Sequence, residues 1–257
     1  GVNYRFPVCT VNIFCDEEKN IIDQEFLGFI SEINCRAGSF NIYVNSGEKI
    51  ASCCRLTNDH SRMKARCDSF SNGGLNIGSL RVVTINLPRV ALKAEQNQDV
   101  FYKNLTLQLE ACRDLLQVHR EEIMRRRVKQ GFLRFFKPLN WLTLDRFFST
   151  IGIIGVYEMC YLMGMDIKTP EGCAFVKEVL TFIENFAMKT SEETGNSFNV
   201  EEIPGESAAV KFVEKDKILF GEEKVPFSLY SNQYLPLIAD ATLPERIKIS
   251  GKFQDIL

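Results

Sequence analysis

Short apolar runs alternate with longer amphipathic stretches along the chain, and this alternation sets the expected order of elements. The run Phe6-Pro7-Val8-Cys9-Thr10-Val11-Asn12-Ile13-Phe14 has few polar positions, as expected of a strand buried on both faces. Phe26, Leu27, Ile30 and Ile33 then recur at helical spacing and predict a helix over 23–33. A second β piece is expected at Phe40-Asn41-Ile42-Tyr43-Val44. Residues 45–78 are polar and irregular, with Gly73, Gly74 and Gly78 read as turns near the end. Loops of that length without regular structure are uncommon in compact domains and are usually functional. The β-branched run from Leu80 to Leu87 predicts a strand stopped by Pro88.

Beyond it, Gln98 to Lys129 reads as a long charged amphipathic helix. Phe147 to Ile151 reads as a strand, with Gly152 and Gly155 marking the turn into a helix through Glu158 and Leu162. Pro170, a good first-turn residue, opens a helix expected to end near Gly195. Ser197 to Ile203 alternates like a strand and meets Pro204-Gly205, with a helix expected from about Glu206. Leu229 to Leu237 is the last strand candidate. Strands alternating with helices predict an α/β fold on a parallel sheet, open or closed. The units are too few for an eight-stranded barrel but enough for half of a ten-stranded one. No internal repeat or low-complexity tract interrupts the pattern.

With 45% hydrophobic residues and twenty phenylalanines, the chain has material for a substantial core. A net charge of -2 and a pI near 5.9 argue against sequence-independent nucleic-acid binding, which needs a basic surface. The cluster Arg125-Arg126-Arg127 reads as a solvated helix face. Nine cysteines, with no Cys-x-x-Cys pair, and only two histidines, His60 and His119, form no familiar zinc spacing. Such usage fits a reducing cytoplasm. The greasiest stretch, Phe147 to Met165, contains Ser149, Thr150 and Glu158, which argues against a membrane span. Without a signal peptide or an initial methionine, the chain is expected to be cut from a longer polypeptide.

Candidate chemistry centres on Ile50-Ala51-Ser52-Cys53-Cys54-Arg55-Leu56, inside the long loop. A vicinal cysteine pair can be two small buried residues. It can also be a loop cysteine pushed into a barrel interior, where a radical is shielded from solvent. Arg55 could hold the loop or be exposed. Pro204-Gly205-Glu206-Ser207 sits where a strand gives way to a helix. Free backbone N–H groups and the helix dipole there could cradle a phosphate, although strand–Pro–Gly turns are common. Asn199 and Glu201 alternate on that strand and face either a barrel interior or an exposed edge. Glu158 reads as an intrahelical or capping residue.

Several ordered segments together are specific. Cys54-Arg55, then Gly78-Ser79-Leu80-Arg81-Val82-Val83-Thr84-Ile85-Asn86-Leu87-Pro88-Arg89, resembles the anaerobic (class III) ribonucleoside-triphosphate reductases of the glycyl-radical enzyme family. The likeness continues through Ser149-Thr150-Ile151-Gly152-Ile153-Ile154-Gly155-Val156-Tyr157-Glu158. It returns at Phe198-Asn199-Val200-Glu201-Glu202-Ile203-Pro204-Gly205-Glu206-Ser207 and at Leu229-Tyr230-Ser231-Asn232-Gln233-Tyr234, so it covers most of the chain.

The resemblance implies about half of a ten-stranded β/α barrel over 1–257, with a finger loop at about 46–79 carrying Cys54 as the radical cysteine. That thiyl would take the 3′ hydrogen of a bound ribonucleoside triphosphate, the 2′ hydroxyl would leave as water, and two reducing equivalents would complete the deoxyribonucleotide. Cys53 would be a possible redox partner thiol. Leu56 stands where oxygen-dependent relatives place a glutamate, which suits the anaerobic class. In such enzymes a polar residue just before the Val-Val-Thr strand can face the ribose hydroxyls; Ser79 occupies that position here and Asn76 lies three residues earlier, with turn stabilisation as their alternative reading. Asn199, Pro204, Gly205, Glu206 and Ser207 would bind substrate.

The glycyl radical, a structural zinc, the nucleotide-sensing domain and the first half-barrel are expected outside this chain. S-adenosylmethionine and an iron-sulfur cluster are expected in a separate radical-SAM activating enzyme. The full enzyme is expected to be a homodimer, without membrane or nucleic-acid partners. Two other readings are a formate-lyase-like glycyl-radical enzyme and a non-catalytic derivative of the reductase fold.

Overall fold

The computed structural model describes residues 9–37, 40–45, 49–51, 57–59, 78–131, 144, 147–253 and 256. They fall into two compact units, Gly1–Gly78 and Ser79–Leu257. In the first, Cys9–Phe14 (β1), Gln24–Ala37 (α1) and Phe40–Asn45 (β2) make one β–α–β unit. Its two strands pair in parallel from Cys9↔Phe40 to Phe14↔Asn45, which requires a crossover such as α1. Asp23 Oδ1 accepts from the Phe26 N–H at 2.8 Å and so starts the helix. Lys49–Ala51 (β3) and Thr57–Asp59 (β4) pair antiparallel. A short ladder therefore lies inside the stretch whose sequence predicts no regular structure.

The second unit is built on Ser79–Asn86 (β5), Leu87–Ala94 (α2), Gln98–Gln130 (α3), Phe148–Ile154 (β6), Val156–Leu162 (α4), Pro170–Thr194 (α5), Phe198–Glu202 (β7), Glu206–Phe220 (α6) and Leu243–Ser250 (α7). Its sheet runs β5-β6-β7, with both pairs parallel. Parallel strands have side chains in register across the sheet, so each face can be read directly. Ile85, Ile151, Ile153, Phe198 and Val200 join the main core with Phe101, Leu105, Leu109 and Leu116 of α3 and Val176, Val179, Leu180 and Ile183 of α5. On the opposite face, a Cβ added to Gly152 would meet Val82, Thr84 and Ile203 side chains at 3.0 Å. A parallel α/β fold is thus observed as expected.

Arg120 of α3, 5% exposed, ties this helix to the entry of β6. Its Nε donates to Ser149 Oγ at 3.2 Å, Nη1 to the Leu144 carbonyl at 3.3 Å, and Nη2 to the Phe147 carbonyl. On the solvent side, Arg125 and Arg126 pair with Glu122 at 2.7 and 2.8 Å, as a solvated face predicts. No helix among the described residues is long and apolar enough to cross a membrane.

Four details of the sequence reading change. Pro88 does not merely end β5: it sits in the first turn of α2, where its missing N–H costs nothing. Gly152 lies within β6, which extends to Ile154, and Gly155 alone makes the turn at φ 81°. Leu229 to Leu237 is not a strand. Its later carbonyls, from Leu235, Pro236, Leu237 and, just beyond, Ala239, accept from the Arg246 guanidinium at 2.5–3.2 Å instead of from a neighbouring strand. Arg246 belongs to α7, a helix with a Thr242–Glu245 capping box that the apolar pattern does not announce.

Candidate active site

All three strands of the second sheet point the same way, so β5, β6 and β7 end on one edge. There they feed the N-termini of α2, α4 and α6 within a few residues. In open parallel sheets ligands bind at that edge, where backbone N–H groups and helix dipoles converge. The start of α2 is already satisfied, because Asn86 Oδ1 accepts from the Arg89 N–H at 3.1 Å. The start of α6 is not: Gly205 is its N-cap and no side chain caps it. Pro204, Glu206 and Ser207 are exposed and Gly205 is half-buried. The sheet thus delivers Pro204–Ser207 to its carboxyl edge with first-turn amides unclaimed by any capping side chain.

A polar row crosses the sheet face opposite the core. Thr150, fully buried, donates its hydroxyl to Asn199 Oδ1 at 2.8 Å. Its oxygen is then left to accept from Ser79 Oγ, 2.7 Å away. Asn199 Nδ2 in turn donates to Glu201 Oε1 at 3.2 Å. Burial raises the Glu201 carboxyl above its ordinary range, and the Asn199 bond partly offsets this. Of the sequence-predicted site residues, the structure brings Ser79, Asn199 and, through Asn199, Glu201 onto this row. It puts Pro204, Gly205, Glu206 and Ser207 at the strand edge. Cys53, Cys54 and Asn76 lie outside the described residues.

Two features escape the sequence reading. The first is a carboxylate hub: Asp216 of α6, with no exposed surface, accepts from Asn86 Nδ2 at 2.8 Å, Arg89 Nε at 2.5 Å and the Tyr230 hydroxyl at 2.9 Å. The signal was the pair of ordered segments holding Asn86-Leu87-Pro88-Arg89 and Tyr230, but no spacing rule links either to Asp216. The second is Glu158, 2% exposed, whose Oε1 accepts from the Ser231 N–H at 2.9 Å and whose Oε2 has no hydrogen-bond partner. Burial pushes its carboxyl up to about 7. Besides the contact with its own first-turn amide, in line with an intrahelical or capping residue, it is an acceptor for a distant loop.

Two of the described thiols, Cys112 and Cys160, are buried in the main core. Burial pushes Cys112 and Cys160 up to about 12, so both stay protonated and pack as apolar groups. Among the described residues no group of three or more His, Cys, Asp or Glu side chains could hold a metal ion.

A parallel sheet whose strands feed helix starts at their carboxyl edge, with a polar row on the face opposite the core, defines an α/β protein. The chain belongs to the anaerobic ribonucleoside-triphosphate reductase family, whose model matches residues 2–257. Solved structures of the anaerobic ribonucleotide reductase from Thermotoga maritima agree. The one with citrate in the active site is 34% identical with a TM-score of 0.81, over 98% of this chain and 46% of that one. The one with glycerol in the active site is 35% identical at 0.82, over 98% and 41%. The complex with dATP and CTP is 34% identical at 0.82, over 98% and 42%. The chain therefore spans less than half the length of these reductases. No match was found among curated proteins.

Proposed function

We propose that this chain is the central part of the catalytic barrel of an anaerobic ribonucleoside-triphosphate reductase, with Cys54 as the thiyl-bearing residue and the Pro204–Ser207 turn as its phosphate cradle. The observation that carries the reading is the family match along residues 2–257. In the finer architecture, β5, β6 and β7 are strands of a ten-stranded glycyl-radical-type barrel, and residues 46–79 are its finger loop. The class of substrate follows from the relative crystallised with dATP and CTP and from the cradle's preference for anions.

In this reading the Cys54 thiyl abstracts the ribose 3′ hydrogen, the 2′ hydroxyl leaves as water, and two reducing equivalents from formate or a small thiol protein give the deoxyribonucleotide. Abstraction is nearly reversible because S–H and activated C–H bonds are close in strength. Ser79, Asn76, Asn199 and Glu201 supply polar contacts to the ribose, and Cys53 is a candidate redox thiol. The glycyl radical and a structural zinc belong, in this reading, to the rest of the reductase polypeptide. A separate radical-SAM enzyme generates the radical, and the complete enzyme works as a homodimer in a reducing cytoplasm.

The test uses the complete reductase polypeptide, activated anaerobically and assayed for conversion of CTP to dCTP. Gly205→Val is the decisive variant. A Cβ there would meet side-chain ends alone, Ile203 Cδ1 at 3.0 Å and Ile154 Cδ1 and Ile203 Cγ1 at 3.5 Å, and the thermal midpoint of the variant checks that the fold persists. The bulk should displace an anion from the turn and weaken CTP binding by about 1–3 kcal/mol, roughly 5- to 150-fold. Unchanged CTP affinity in a folded variant would sink the phosphate assignment.

A further inference from the structure

The proposed phosphate turn is held from one side by three consecutive residues that lie far from it in sequence. Asn232 Nδ2 donates to the Pro204 carbonyl oxygen at 3.1 Å. Its neighbour Ser231 is pinned at both backbone groups: the N–H donates to Glu158 Oε1 at 2.9 Å, and the carbonyl accepts from the Gly155 N–H at 2.8 Å. Tyr230 reaches Asp216 Oδ2 with its hydroxyl at 2.9 Å, while its N–H donates to the Ala209 carbonyl at 3.4 Å. The Ser231 hydroxyl closes the turn on Gln233, accepting from its N–H at 3.0 Å and donating to its carbonyl at 3.1 Å. The strap is thereby fixed to the start of α4 and to α6, and only Asn232 reaches across to the turn.

What that contact does follows from peptide geometry. The Pro204 carbonyl and the Gly205 N–H belong to one planar trans unit and point in opposite directions. Holding the carbonyl fixes where the N–H aims. Without such a hold this unit is free to crank, because glycine tolerates most φ values on its side. We propose that Asn232 is a positioning residue of the phosphate turn: by gripping the Pro204 carbonyl it aims the Gly205 N–H at the substrate's phosphates. This rests on the phosphate reading above and adds to it a residue that touches neither substrate nor the reacting atoms.

Asn232 is half-buried at the surface, so Asn232→Ala should fold like the parent, checked by its thermal midpoint. In the complete, activated reductase we expect KM for CTP to rise about tenfold, the loss of one hydrogen-bonded constraint, with kcat within about twofold. Inorganic triphosphate used as a competitor should lose affinity by the same factor and cytidine should not, a split that general loosening would not produce. If Asn232→Ala leaves KM and triphosphate affinity unchanged while Gly205→Val weakens both, the positioning role is wrong and the phosphate site stands. If Gly205→Val itself leaves triphosphate binding intact, the phosphate site is wrong and the positioning role goes with it. A large fall in kcat at constant KM would also overturn the proposal, because Asn232 would then act on the chemistry.

Discussion

Tyr230 donates its hydroxyl to Asp216 Oδ2 at 2.9 Å, with both residues at 0% exposure. Burial, reinforced by that bond and the carboxylate charge, pushes the Tyr230 hydroxyl far above the usual tyrosine range. The phenol therefore stays protonated and remains a donor at any working pH. Asp216 also receives Asn86 and Arg89, so one carboxylate gathers the end of β5, the first turn of α2 and the loop after α6. A buried charge of this kind is tolerated only when its lone pairs are met. The hub holds the carboxyl edge of the sheet to the strap that carries Asn232.

Removing the carboxylate should cost more than removing any one donor. Asp216→Ala leaves the partly buried Arg89 guanidinium without its counter-charge, and a loss of about 3 kcal/mol is expected. Tyr230→Phe removes a single donor of an otherwise satisfied group and should cost about 1–1.5 kcal/mol. Urea titrations of the complete polypeptide decide between these. A Tyr230→Phe variant less stable than Asp216→Ala would mean that the Tyr230 hydroxyl, not the carboxylate, organises the site.

Glu158 makes stability depend on pH in a stated direction. Its carboxyl is raised from 4.5 to about 7 by burial. An acid shifted upward contributes its full margin below the unfolded value and loses it as pH climbs through the folded one. Relative to Glu158→Gln, which stays neutral and can still accept from the Ser231 N–H, the parent should lose ground between about pH 4.5 and 7 and then level off. The ceiling is about 3 kcal/mol. Denaturation midpoints at intervals from pH 5 to 8 test this, and a constant difference between the two proteins across that range would contradict it.

The order of β5, α3, β6, α5, β7 and α6 was legible because each carries an unambiguous period or terminus: Pro170 opening α5 and Gly195 just after it bound that helix to within a residue. The Pro204–Gly205 turn was legible for the same local reason. Three other features were not. Asp216, buried on α6 among lysines and a glutamate, looks like one more charge on a solvated helix, and only tertiary contact distinguishes it. Leu229 to Leu237 has the composition of a strand, but its backbone groups are claimed by Ala209, Gly155, Glu158 and Arg246 before any strand could pair with them. Glu158 looks like an ordinary first-turn acid until the Ser231 N–H is seen against it.

If Cys54 is the thiyl residue proposed above, Cys54→Ser in the complete enzyme should abolish dCTP formation while leaving CTP affinity within a few-fold, since it would remove the atom that carries the radical and not a source of binding energy. Cys53→Ser should be milder. Radical transfer can be followed separately, by asking whether the stored glycyl radical decays on addition of CTP. An inactive Cys53→Ser beside an active Cys54→Ser would move the radical assignment by one residue.

Gly155 joins β6 to α4 at φ 81°, a conformation that costs a non-glycine residue about 1–2 kcal/mol. Sterics add to this. A Cβ at Gly155 would stand 2.4 and 2.5 Å from Cγ and Cδ of Pro88 and 3.5 Å from Cβ of Tyr230. The Pro88 ring is rigid and fully packed in the first turn of α2, so relief requires that helix to move, and overpacking of this sort costs a further 1–3 kcal/mol or about that. Gly195, at the end of α5, has a similar φ of 70° but nothing within 4 Å of an added Cβ. Gly195→Ala should therefore show the backbone cost alone, about 1 kcal/mol, while Gly155→Ala should lose about 2–5 kcal/mol. Because the Gly155 N–H also holds the Ser231 carbonyl, a displaced α2–α4 junction should disturb the strap, and KM for CTP should rise in Gly155→Ala but not in Gly195→Ala. Equal stability losses in the two variants would show that the Pro88 contact relaxes freely and that the junction is not a fixed point of the fold.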